Sequence, residues 1–485
     1  MPGFICFRKS RRARFLLLFV SVVVLSVHSA WASGFSIAEL GVRATGMGTA
    51  FTAVANDGSA LFYNPAGISF LETTIFQMDS LAVHGNFKFF PSSVPPGTIV
   101  PEKGFDGAVK PKLIPLGNFY IVLPLKPKLT FGFGSFTPFG LSDNFTSFQD
   151  GDPPHTKYPG RYAGSRGRLE SVWFQPAFAY RVTPNSSIAV GGALVFTHLF
   201  LESSFFNPRD DAIDFGREAA PTIFPGIDPE LAARSIARLL PEGRLRAAAT
   251  SIAPGFSAGY LFKHPGGKFN FGLMYRSAVV NHLNGKASFA FTKGYTLEPF
   301  IGADFLPKSF PNQDIKGTFT TPATYAVGVA TSLAGATLAF DFRVQEYTRF
   351  QSVPINFSKT PENDPDAQTP GERRLIFDFR NSYYYAVGFE KWITQTMALR
   401  LGYQFDRTSV VDKSVGPLFP DTNRHSATIG FSMKSGNKEF SFFYDATKFV
   451  HRTVNVPENA NQFTNGEYRN FAHLAGLGLR FGGVD

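Results

Sequence analysis

The run Gly255-Phe256-Ser257-Ala258-Gly259 fits G-x-S-x-G, in which a strained strand-to-helix turn raises a serine hydroxyl for nucleophilic attack. That chemistry needs a helix after the serine, and none is written here. Phe256, Ala258, Tyr260 and Phe262 alternate with small residues as a strand does, and Pro265-Gly266-Gly267 then turns the chain. Ser257 is expected to be a small inward residue of a strand, so no catalytic residue is assigned. A lipase reading would rest on this serine alone. The nine histidines show no metal-ligand spacing, the lone Cys6 has no C-x-x-C companion, and no glycine-rich loop leads into a phosphate-binding lysine. No metal and no cofactor are expected.

The charged residues that recur do so in strand register. In Met397 to Asp406, the face Met397, Leu399, Leu401, Tyr403, Phe405 opposes Ala398, Arg400, Gly402, Gln404, Asp406. Arg276, Asp341, Arg343 and Asp445 fall on the same kind of polar face. Strands with an apolar face and a charged one suit a barrel wetted by lipid outside, whose interior carries an ion-pair network or anchors a plug. Val195, Leu199, Leu201, Met274 and Phe443 share the inward face, and a water-filled general porin would not line itself that way.

These faces must be held by many strands. Short connections at 126–128, 183–185, 265–268, 333–336, 394–396 and 435–438 alternate with long polar ones at 91–112, 138–168, 203–251, 285–316, 351–374, 410–423 and 453–467. Six short turns and seven long loops make fourteen strands, a meander with all its short turns at one end. The expected fold is all-β, a 14-stranded antiparallel transmembrane barrel over residues 73–485. A soluble sandwich shows alternation too, but it explains neither the loop asymmetry nor the leader. That leader, residues 1–32, has Arg8 to Arg14 as a basic region, an apolar run from Phe15 to Val27 and an Ala30-Trp31-Ala32 cleavage site, the marks of a signal peptide. Its five basic residues account for half of the formal charge of +10, and the remainder is too small for a nucleic-acid footprint. Fifty-five phenylalanines without a long apolar run fit lipid-facing strands, and a monomer in the outer membrane is expected.

Two segments depart from the pattern. Asp228-Pro229 caps a helix in which Leu231, Ile236, Leu239 and Leu240 repeat at helical spacing, inside the longest loop. It packs over the loop or walls an extracellular apolar groove. In Phe131 to Gly140, Gly132 and Gly134 weaken a ladder and Pro138 removes a donor, so this strand should bend and open a lateral gap.

Residues 33–72 lack both periodicities. The stretch SGFSIAELGVRATGMGTAFTAVANDGSALFYNPAGIS resembles the N-terminal hatch of the FadL family of outer-membrane long-chain fatty acid transporters, whose relatives also import aromatic hydrocarbons. Met274-Tyr275-Arg276-Ser277, and Phe419-Pro420-Asp421 with Arg424, strengthen the resemblance. It implies that residues 33–72, with Asn64, Pro65 and Ala66 at their corner, plug the barrel. It further implies facilitated uptake of a long-chain fatty acid or other hydrophobic small molecule by extracellular capture, hatch movement and lateral release into outer-membrane lipid at a kinked third strand.

Overall fold

The computed structural model describes residues 34–92, 107–109, 113–147, 159–206, 210–291, 294–416, 418–456 and 464–483. The expected signal peptide lies outside the described residues.

Alternation of inward and outward side chains builds fourteen strands: β1 (Ile75–Pro91), β2 (Leu113–Lys126), β3 (Leu129–Ser147), β4 (Arg166–Thr183), β5 (Ser186–Phe205), β6 (Gly243–Lys263), β7 (Phe269–Arg276 and Val279–Phe291), β8 (Gln313–Thr321 and Thr324–Leu333), β9 (Ala336–Gln345 and Ser352–Phe357), β10 (Glu372–Ile376 and Ser382–Trp392), β11 (Met397–Asp406), β12 (Arg424–Ser435), β13 (Lys438–Phe449) and β14 (Gly466–Phe481). Each pairs antiparallel with the next, and β14 returns to β1 from Phe481 opposite Phe76 to Gly466 opposite Pro91. Closure removes the sheet edges, whose unpaired amides lipid cannot satisfy. Outward residues such as Phe178, Val190, Ile252, Leu401 and Leu477 stay exposed and apolar, while Arg400, Gln404 and Asp406 on the opposite face are buried.

All six short turns fall where the sequence places them, but several strands outrun their expected ends. β3 continues through Pro138 to Ser147, and β6 begins at Gly243 inside the segment read as loop. Arg244 and Arg246 stand between Gly243 and Ala247 there, so pairing persists where the apolar signal has gone.

The barrel is filled by its own N-terminus. Residues 34–70 carry two short helices, α1 (Val42–Gly46) and α2 (Ala60–Tyr63), then a 3-10 turn over Pro65–Phe70, and nearly all of their side chains are buried. Outside the barrel wall, α3 (Asp210–Ile223) and α4 (Pro229–Leu239) form a cap with a small core of its own around Phe205, Phe206, Phe215, Ile236 and Leu240. Asp228 caps α4 through the amides of Glu230 and Leu231, at 3.1 and 2.9 Å.

Candidate functional site

The larger part of the N-terminal segment is bolted to the wall. Arg43 on α1 makes a bidentate pair with Glu390 of β10 at 2.7 and 2.6 Å, and Arg400 of β11 joins the same carboxylate at 2.6 Å. Glu439 of β13 links Arg400 to Arg480 of β14, so five buried charges run around one side of the lumen. Asp341 accepts from the Phe51 and Thr52 amides at 3.0 and 2.9 Å, and Arg343 donates to the Thr49 carbonyl. Arg276 donates to the Phe62 carbonyl at 2.6 Å while its guanidinium lies 4.1 Å from the centre of the Phe62 ring. The Asn64 amide bonds both the Thr52 and Tyr260 carbonyls at 2.9 Å, and its oxygen caps the turn that Pro65 begins by accepting from Ala66. The wall yields space where the plug touches it: a β-carbon on Gly402 would stand 1.9 Å from the Gly48 nitrogen.

The first residues are held differently. Phe35 sits in a cage of rings, with Phe350, Tyr347, Phe139 and Phe419 at centroid distances of 5.0, 5.2, 5.8 and 6.2 Å. Around it the chain pairs as a miniature strand with β3. Ile37 N–H donates to the Pro138 carbonyl at 2.8 Å and Gly140 N–H to the Phe35 carbonyl at 2.7 Å, which sets Ser36 opposite Phe139. That edge of β3 would otherwise belong to β2.

Between β2 and β3 the wall is unzipped. Their pairing runs from Lys126 opposite Leu129 to Phe119 opposite Ser135 and stops. A short bridging strand, Gly107–Val109, meets β3 only from Phe145 onward, so over residues 136–144 this edge of β3 has no partner strand of the wall among the described residues and pairs only with the plug at Pro138 and Gly140. Pro138 directs its carbonyl to this side and has no N–H to offer it. The opposite edge of β3 stays paired with β4, with a bulge between Phe136 and Phe139. Gly132 and Gly134 are not in the seam; both are paired on both sides. Gly132 instead makes room for the plug, since a β-carbon there would stand 2.7 Å from Leu61 and 2.9 Å from Ile68.

Cavities lead to this point from outside. A groove of about 250 Å³ beneath the long connections includes Leu245, Phe357 and Lys413. It shares Leu201, Leu375, Phe377, Leu418 and Phe419 with a deeper, tight apolar pocket of about 30 Å³. Phe350 and Phe419 of that pocket touch Phe35, and beyond Phe35 lies a narrow cavity of about 20 Å³ between Ile37 and Phe139 on one side and Met274, Arg276 and Arg343 on the other.

The outer membrane protein transport protein family (OMPP1/FadL/TodX) matches residues 23–481. The chain belongs to this family. Its fold is similar to that of a Pseudomonas aeruginosa FadL homologue at a TM-score of 0.73 and 17% identity, covering 93% of this chain and 99% of that one. It is also similar to the Ralstonia pickettii toluene transporter TbuX, at a TM-score of 0.60 and 15% identity over 91% and 98% of the two chains. Over 130 residues it is 28% identical to outer membrane protein NMB0088 of Neisseria meningitidis serogroup B, a match spanning 27% of each protein.

Within this family barrel the inward charges do not form one network. Arg276, Asp341 and Arg343 hold the plug, Arg400 belongs to the five-charge chain, Asp406 pairs with Arg424, and Asp445 accepts from Gln404 and Thr447. On α4, Ile236 and Leu240 are buried in the core of the cap, Leu239 is half-buried, and Leu231 is 61% exposed; none of them lines the groove described above. Ser257 faces inward from a strand, as its flanks indicate. Sequence reasoning missed Phe35, Glu390, Glu439 and the ring cage. Among these, only the aromatic richness of the loops around Phe350, Phe377, Phe379 and Phe419 offers a visible signal.

Proposed function

We propose that this chain takes up long-chain fatty acids by facilitated diffusion. The tail is captured in the extracellular groove, drawn into the apolar pocket against Phe35, and released sideways through the seam between β2 and β3. The supporting observation is that one short segment, Gly34 to Ile37, both closes the pocket and covers the seam. A ligand that displaces Phe35 from its cage thereby strips Phe35 to Ile37 from the edge of β3.

Magnitudes favour such a coupling. Burying a tail of about sixteen carbons gains roughly 12 kcal/mol at roughly 0.8 kcal/mol per methylene. Retained in full, that would correspond to about nanomolar binding and slow release. Displacing a caged phenylalanine and its strand pairs draws on this energy, so the ligand shifts the population of an open state and leaves by it.

Ser36 and Phe139 form a non-hydrogen-bonded antiparallel pair, the geometry that brings two β-carbons closest. The only native cysteine, Cys6, lies in the leader. A Ser36→Cys/Phe139→Cys protein oxidised in the outer membrane is expected to lose fatty acid uptake and to regain it on reduction. Wild-type uptake by the oxidised form would refute the coupling.

A further inference from the structure

One polar group at the seam has no role in the passage described so far. Asn118 lies on β2 just beyond the last pair with β3, Phe119 opposite Ser135. It faces the lumen in step with Leu116 and Tyr120 and is 4% exposed. Both atoms of its carboxamide, Nδ2 and Oδ1, lack a hydrogen-bond partner among the described residues. Its cross-strand neighbour on β1 is Asp79, whose carboxyl already accepts from the Val42 amide at 3.3 Å and from Gln77 at 2.8 Å. Buried amides nearly always find partners, and one left open beside an exit calls for a ligand that completes it.

A carboxamide presents a donor and an acceptor side by side. The head group that answers both is a neutral carboxylic acid: its carbonyl accepts from Nδ2–H, its hydroxyl donates to Oδ1, and no net charge is carried to the edge of the lipid. An ionised carboxylate would meet the Oδ1 lone pairs with another acceptor and would stand near Asp79. A hydrocarbon would answer neither atom. We propose that Asn118 is a specificity-determining residue that pairs with the head of a protonated long-chain carboxylic acid as its tail enters the seam. This rests on the uptake reading above and deepens it by naming the residue that reads the acid head group and the protonation state that it takes.

The test compares uptake of a radiolabelled sixteen-carbon acid and its methyl ester, which keeps the tail and the carbonyl but lacks the hydroxyl. Cells carrying the wild type or Asn118→Leu are used, with barrel folding checked by heat-modifiable gel mobility. The wild type is expected to carry the acid faster than the ester. Asn118→Leu should lower acid uptake about tenfold, the equivalent of losing one to two net hydrogen bonds. It should lower ester uptake by about threefold at most. Acid uptake unchanged in the folded variant, equal losses for both compounds, or a wild type that does not prefer the acid would each overturn the assignment. A wild type that carries neither compound would instead overturn the uptake reading itself.

Discussion

The plug is one continuous segment with two kinds of attachment. From Gly41 to Phe70 it is held by buried ion pairs, by wall side chains bonded to its backbone, and by glycines that let backbone meet backbone. From Gly34 to Leu40 it is held by rings packed edge to face, two backbone bonds to one strand edge, single side-chain bonds from Gln345, Gln404 and Tyr120, and loop groups such as Asp421, which accepts from the Gly34 amide at 2.9 Å. Charge-assisted bonds to several strands resist any shift of position. Ring packing draws most of its strength from apolar burial, which is non-directional and which another apolar group can supply. The first part is built to stay while the second can be exchanged for a ligand.

The largest effect should come from cutting the permanent half. Glu390→Ala removes the carboxylate shared by Arg43 and Arg400, leaving Arg43 without a direct ion-pair partner among the described residues. Breaking one member of a buried pair costs about 3–5 kcal/mol. The variant should unfold at a clearly lower denaturant concentration and show raised nonspecific conductance in planar bilayers. Wild-type conductance would mean that the ion chain does not hold the plug, and the contrast between the two halves would fail.

Phe35→Ala attacks the exchangeable half and should act mainly on transport. Removing the ring opens the cage between the outer pocket and the seam without touching the ion chain. The unfolding midpoint should move less than for Glu390→Ala, while leakage of small hydrophobic antibiotics into cells should rise severalfold. Equal effects of the two variants on both readouts would erase the distinction.

The sequence shows why one half was easier to read. Fourteen strands, their turns and the α4 cap follow from local rules, because alternation and capping involve residues within a few positions of each other. Asn64 and Pro65 were visible as a motif, and Pro138 as a proline where a ladder needs a donor. Arg43 and Glu390 are 347 positions apart, and neither is unusual in its own neighbourhood. Gly132 looked like a weakness in its strand, yet its role is set by Leu61 and Ile68 on the plug. Phe35 is one phenylalanine among fifty-five, and only its meeting with four distant rings distinguishes it.

The smallest effect is expected at Ser257, which sharpens the comparison by touching neither half. Its hydroxyl is buried and has no hydrogen-bond partner among the described residues, so it contributes no bond to the plug and none to the wall. Ser257→Ala removes an unsatisfied polar atom and leaves no cavity larger than that atom, so stability should stay within about 0.5 kcal/mol of wild type or rise slightly. Conductance and uptake should both be unchanged. The same variant tests the motif reading, because a nucleophilic serine requires a base within hydrogen-bond reach and this one has no hydrogen-bond partner among the described residues. A serine-directed fluorophosphonate should therefore leave the wild type unlabelled. Labelling that disappears in Ser257→Ala would show that the lumen performs hydrolysis after all, and loss of uptake in that variant would show that plug anchoring extends to a residue with no bond to it.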